Sequence, residues 1–140
     1  MDNRRVNFYM QLARLAARES HATRRQVGAC AVKAGSSFAF DKILGVSYNG
    51  TEPGHPNTCE DHNNVTLLGV WHAEQNLARY GRSLLEATHL FVTKEPCEHC
   101  ARFLTREAPN LQMVFWEELS KSAHAAGLML LHCDSQRFTL

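Results

Sequence analysis

The chain has 140 residues, 44% of them hydrophobic and 21% charged, with 4 prolines and 8 glycines, which excludes the disordered, collagen-like and low-complexity classes. That length fits one domain, residues 1–140, able to bury roughly two-thirds of its unfolded surface. Fifteen basic against 14 acidic residues leave a formal charge of +1, which argues against a polynucleotide backbone as partner.

The first twenty residues carry charges throughout, unlike a signal peptide, and no run approaches the roughly 18 apolar residues of a membrane span. Five cysteines, an odd number in a chain of this size, point away from a disulfide framework. A cytoplasmic protein with no membrane contact is the expectation. Val6, Tyr9, Met10, Ala13, Ala16 and Ala17 recur at three- and four-residue spacing and predict an amphipathic helix over 4–19. Residues 27–33 and 42–48 are β-prone runs ended by Asn49-Gly50, which predicts an antiparallel hairpin. Residues 51–70 mix Pro, Gly, Asn, Asp and His with little periodicity, and so long a loop in a compact domain is expected to wall a site.

The rhythm then alternates. A helix is predicted over 72–80 with Gly81 as its stop, a strand over 89–93, and a helix from 96 or 97 to 107. A strand over 112–116, a helix over 118–126 stopped by Gly127, and a strand over 128–132 follow. Helical crossovers require the last three strands to run parallel, so the expected architecture is α/β: a mixed five-stranded sheet with helices on its faces.

Two helix starts carry the chemistry: His72-Ala73-Glu74 and Pro96-Cys97-Glu98-His99-Cys100. Cys97 and Cys100, three apart on a helix, face the same way, and Pro96 suits a first helical turn. The positive end of the helix dipole favours the thiolates that bind metal. With the His72 imidazole they make three ligands for tetrahedral zinc, leaving a fourth position for water, whose pKa such a metal lowers to about 7. Residues two apart do not share a helix face, so His72 and Glu74 reach one site only if His72 lies at the very helix start. Glu74 then handles protons without ligating the metal.

H-x-E followed by P-C-x-x-C is the signature of zinc-dependent nucleobase deaminases. With Gln26-Val27-Gly28-Ala29-Cys30, Ser47-Tyr48-Asn49-Gly50, His72-Ala73-Glu74-Gln75-Asn76 and Val92-Thr93 before Pro96, the chain over 8–131 resembles the deoxycytidylate (dCMP) deaminases of the cytidine deaminase-like superfamily. The resemblance implies a three-layer α-β-α fold, hydrolytic deamination of dCMP or a 5-substituted dCMP to a dUMP- or dTMP-type product plus ammonia, and a homo-oligomer. It also implies that Asn49 bonds the sugar hydroxyl and that the Ala73 backbone, with Glu74, reads the pyrimidine edge. Where relatives often carry a stacking tyrosine, this chain reads Trp116-Glu117-Glu118-Leu119, so either stacking passes to Trp116 or the base preference differs. The segment Thr51-Glu52-Pro53-Gly54-His55 is similar to one that helps some relatives bind a regulatory nucleotide triphosphate with Mg2+.

Other readings stand beside these. Cys59, His62, Cys133 or His99 would close a purely structural zinc site, and Cys59 with His62 and His21 or His55 would make a second zinc site. Cys30, in an apolar strand, reads as a buried inert thiol. Arg24, Arg25, Lys33 and Lys42 are candidate phosphate contacts. Rival functions are deamination of a free nucleoside or base, deamination of adenosine in transfer RNA, and an inactive zinc-stabilised binding module.

Overall fold

A computed structural model of the chain describes residues 1–52, 54–79, 83–117 and 130–132. The expected helix over 118–126 with its Gly127 stop, the Gly81 stop, Leu119 and Cys133 lie outside the described residues. The first helix, α1, spans Asn3–Ala17; the Asp2 side chain caps it by accepting the Arg5 N–H at 2.9 Å. Strands β1 (Gly28–Lys33) and β2 (Lys42–Tyr48) form the expected antiparallel hairpin, with a bulge opposite Ala31 and Val32. A 3-10 turn over Phe38–Phe40, too short to leave a periodic signal, lies in their connection.

Helices α2 (Ala73–Arg79) and α3 (Ser83–Glu86) precede β3 (His89–Val92), and α4 (Glu98–Glu107) joins β3 to β4 (Met113–Trp116). The four-residue α3 was not expected, because one turn cannot display a helical period. Strand β3 pairs antiparallel with β1 and parallel with β4, as the α4 crossover requires. These four strands form the body of the sheet; the three-residue β5 (Leu130–His132) lies parallel to β4 at its edge, giving the order β2-β1-β3-β4-β5.

The two-residue period of the strands divides the core into two. Cys30, Val32, Phe91 and Phe115 pack under Val6, Tyr9, Met10 and Ala13 of α1. Ala29, Ala31, Leu90, Val92, Val114 and Trp116 pack on the other face, with Ala73 and Leu77 of α2, Leu84 of α3 and Leu104 of α4. Helices therefore cover both faces of a mixed α/β sheet. Gly28 lets α1 press onto β1: a Cβ there would lie 1.9 Å from the Ala13 carbonyl oxygen and 2.5 Å from the Ala17 nitrogen. A buried ionic clamp closes the same layer. The Asp41 carboxylate accepts from Arg5 Nε at 2.9 Å, the Tyr9 hydroxyl at 2.8 Å and the Gly35 N–H at 2.8 Å. No helix among the described residues is long and apolar enough to cross a membrane.

Candidate metal centre and active site

Cys97 is the N-cap of α4, and its sulfur accepts the Cys100 N–H at 3.4 Å. This cap-to-third-position contact is what draws the two thiols together. Pro96 therefore precedes the cap instead of occupying the first helical turn, a one-residue correction to the expected start. His72 sits just before α2: its carbonyl accepts the Asn76 N–H at 3.0 Å, and its N–H donates to Gln75 Oε1 at 2.9 Å, half of a capping box. From that position it shares the site with Glu74, as the spacing demanded.

Strand β2 and the chain beyond it fix this helix start. Gly50 and Trp71 exchange backbone hydrogen bonds of 3.0 and 2.9 Å, and Asn76 Nδ2 donates to the Tyr48 carbonyl at 2.7 Å. His72 Nδ1 lies 3.1 Å from Cys100 Sγ and 3.8 Å from Cys97 Sγ, and the three donor atoms all fall within 4.8 Å of one another. Tetrahedral zinc with Zn–S near 2.3 Å and Zn–N near 2.05 Å places N and S about 3.6 Å apart, so this donor set fits the ion in both chemistry and spacing. Among the described residues it is the only His, Cys, Asp or Glu group so gathered, and exposed His99 is not in it.

Hydrogen bonds from the Cys100 thiol and then from His72 hold the Cys97 thiol down at about 3. The Cys100 thiol is correspondingly raised, first by that bond to Cys97 and then by burial. Its bond to Cys97 raises the His72 pKa against the opposing effect of burial. Glu74 is 3% exposed, and burial pushes its carboxyl above the ordinary carboxylate range, opposed by a backbone hydrogen bond and by His72. A carboxyl so placed is suited to taking and returning protons.

His72, Ala73, Glu74 and Cys97 open onto a cavity of about 370 Å³, whose walls also include Arg24, Arg25, Asn49, Glu60 and Lys94. Thr66 and Val70 also line it, so the long 51–70 loop walls the site as expected. Asn49 faces the cavity, yet its side chain serves the backbone: Oδ1 accepts the Val27 N–H and Nδ2 donates to the Arg25 carbonyl, each at 2.9 Å. Trp116 is a correction. It is 5% exposed in the core and is not among the cavity-lining residues, because its position on β4 turns it to the face packed by α2 and α4. Lys33 and Lys42 pair across the hairpin at the opposite end of β1 from Val27 and the cavity, which removes them as phosphate contacts.

Lys94 and Glu60 were missed. Lys94 follows the carboxyl end of a parallel strand, where open α/β sheets place their sites, and that is the signal that points to it. Glu60 had none, being in an aperiodic loop. Cys30 is buried and pushed up to about 12 by burial, an inert thiol as expected. Cys59, His21 and Glu52 line a separate cavity of about 220 Å³, but among the described residues their donor atoms are not gathered as those of His72, Cys97 and Cys100 are, so the second zinc expectation finds no support. The magnesium expectation finds no support either: Glu52 is engaged by Arg79 and, at 3.3 Å, by His55.

A mixed α/β sheet carrying a buried acid beside an open His/Cys/Cys centre defines a metal-dependent enzyme of the deaminase class. The model of the cytidine and deoxycytidylate deaminase zinc-binding region matches residues 3–115. Deoxycytidylate deaminase of Homo sapiens is 30% identical over 132 residues, covering 89% of this chain and 71% of that protein. An uncharacterised deaminase in the luxG 3′ region of Aliivibrio fischeri is 30% identical over 94 residues, 66% of this chain and 60% of its own length. The crystal structure of dCMP deaminase from the cyanophage S-TIM5 in complex with dCMP and dUMP superposes with a TM-score of 0.74 at 27% identity, covering 90% of this chain and 94% of that one. The chain belongs to the cytidine and deoxycytidylate deaminase family of zinc-binding enzymes.

Proposed function

We propose that this chain is a zinc-dependent hydrolase that deaminates dCMP or a 5-substituted dCMP, releasing ammonia and the dUMP- or dTMP-type nucleotide. The observation that carries this reading is the buried Glu74 beside the His72, Cys97 and Cys100 donors, at the end of a cavity that also holds Arg24, Arg25 and Lys94. His72, Cys97 and Cys100 would hold the metal. Zinc in such a site supplies a hydroxide nucleophile near neutral pH, by lowering the pKa of water from 15.7 to about 7.

Glu74 takes one proton of the attacking water and passes it to the ring nitrogen beside the reacting carbon; it then takes the second proton from the same oxygen and gives it to the amino group, which leaves as ammonia as the carbon–nitrogen bond breaks and the carbonyl forms. The Ala73 backbone borders the same end of the cavity and is assigned to the pyrimidine edge. Asn49, assigned by resemblance to the sugar, retains one N–H and one lone pair beyond its two backbone bonds. Arg24, Arg25 and Lys94 are assigned to the 5′-phosphate. Residues 1–140 act as one deaminase domain in this reading, and sedimentation tests the homo-oligomer expected by resemblance.

The test is ammonia release from matched dCMP and deoxycytidine, from the 5-methyl and 5-hydroxymethyl nucleotides, and from transfer RNA. A charged hydrogen bond contributes about 1.5–3 kcal/mol, so two phosphate contacts made in both the bound complex and the transition state favour dCMP over deoxycytidine by about a hundredfold or more in kcat/KM. Equal efficiency would discard the nucleotide assignment. Release confined to transfer RNA would make adenosine the substrate, and no release from any compound would leave a binding module.

A further inference from the structure

We propose that Glu60 is a positioning residue that clamps the Arg24-Arg25 segment against the cavity and so sets the preference for a phosphorylated substrate; the inference rests on the nucleotide reading above. Glu60 is 9% exposed, and its carboxylate is turned onto the chain that carries the arginines. Oε1 accepts the Thr23 N–H at 2.8 Å and lies 2.9 Å from the Thr23 hydroxyl, while Oε2 lies 3.2 Å from the Thr23 nitrogen and 3.5 Å from that of Arg24. These backbone bonds, Thr23 first, hold its carboxyl below the ordinary range, so it remains a charged acceptor.

Residues 23–27 form neither helix nor strand and have no ladder to hold them. Besides the Asn49 N–H to Val27 carbonyl bond of 3.1 Å and the Gln26 Nε2 bond to the Ser20 carbonyl at 2.8 Å, two side chains hold the backbone on either side of the arginines. Glu60 grips the segment before the arginines, and Asn49 grips it after them through the Arg25 carbonyl and the Val27 N–H. Glu60 is itself anchored, because it bridges to Thr66 across a loop closed by the Leu67 N–H to Cys59 carbonyl bond of 2.8 Å. A carboxylate in the wall of an anion site would ordinarily repel the anion. Here its oxygens are spent on backbone donors, so its removal should release the arginines more than it relieves repulsion.

The experiment compares Glu60→Ala, Glu60→Gln and Thr23→Val with wild type on dCMP and deoxycytidine, with zinc content measured for each. Calorimetry with 2-deoxyribose 5-phosphate gives a readout independent of turnover. Glu60→Ala is expected to raise KM for dCMP by about tenfold with kcat within about threefold, to weaken sugar-phosphate binding by a similar factor, and to leave kcat/KM for deoxycytidine within about twofold. Glu60→Gln keeps one acceptor oxygen and falls between. Should Glu60→Ala fail to fold, Thr23→Val removes the hydroxyl that lies 2.9 Å from both Glu60 Oε1 and Asn64 Oδ1 while leaving the backbone clamp bonds and orphaning no charge, and a twofold or larger rise in dCMP KM alone is then expected. An unchanged or lower KM for dCMP, or equal losses on both substrates, would overturn the proposal. A wild type indifferent to the phosphate would sink the nucleotide reading itself; one that prefers dCMP, with the preference intact in the variants, would sink the clamp alone.

Discussion

The Ser47 hydroxyl donates to the Ala73 carbonyl oxygen at 2.5 Å, joining β2 to the first residue of α2 between His72 and Glu74. Ser47→Ala is expected to cost about 0.5–1.5 kcal/mol of stability, the ordinary net worth of such a bond. Because a small displacement of catalytic groups is expensive, it should also lower kcat for dCMP about tenfold at full zinc content. Melting temperature, metal content and turnover measured together decide it. Wild-type turnover in Ser47→Ala would show that the helix start holds its position without this bond.

Purified protein should contain one tightly held zinc per chain, and Cys97→Ala or Cys100→Ala should lose it. The reason is the donor set: two sulfurs and one imidazole nitrogen mutually within 4.8 Å. Elemental analysis checks this. Full metal in both variants would place the ligands elsewhere, and a second equivalent would reopen the loop around Cys59 and His62.

Glu74→Gln should keep the fold and the zinc while losing deamination by several orders of magnitude. The amide has nearly the same shape but cannot carry the proton. Circular dichroism, zinc content and ammonia release belong in one experiment. Near-normal turnover would remove Glu74 from the chemistry, whereas lost zinc would recast it as a support for the metal site.

The Arg5–Asp41 pair should set the acid limit of the fold. Burial alone would raise the Asp41 pKa, but hydrogen bonds from Arg5, the Gly35 N–H and Tyr9 outweigh it and hold the carboxyl below its ordinary range. A folded-state pKa below the unfolded one contributes stability that is complete above the ordinary aspartate value of about 3.9 and is lost as pH falls through the folded value. Asp41→Asn should therefore cost about 3 kcal/mol or more at neutral pH, as expected when a buried pair loses one partner, and flatten the decline of melting temperature below pH about 4. The Asp41 side chain is 1% exposed, so salt should restore little. Identical acid profiles for variant and wild type would count against the clamp.

Much of this protein was legible in 140 letters because the informative interactions are short-range. The α1 stripe, the hairpin and the strand-helix alternation each lie within a few residues of the groups that specify them. The zinc donors were legible for a related reason. Residue type names the chemistry, and Cys97 with Cys100 is one helix cap, whose geometry is local. Trp116 shows the limit: its place in β4 was read correctly, but whether its ring met substrate or core depended on which face of the sheet α2 and α4 cover. The sequence by itself thus determined the order of most described elements, and it named His72, Cys97 and Cys100, which the structure gathers, and Glu74, which it buries beside the same cavity. Only the tertiary structure decided what surrounds them, namely the Arg5–Asp41 clamp, the inward turn of Trp116, and a wall in which Glu60 reaches back to Thr23 and Lys94 completes the cations. Those contacts join segments with no periodicity and with dozens of residues between them, so no local propensity encodes them, and they exist only once the sheet has brought its loops together.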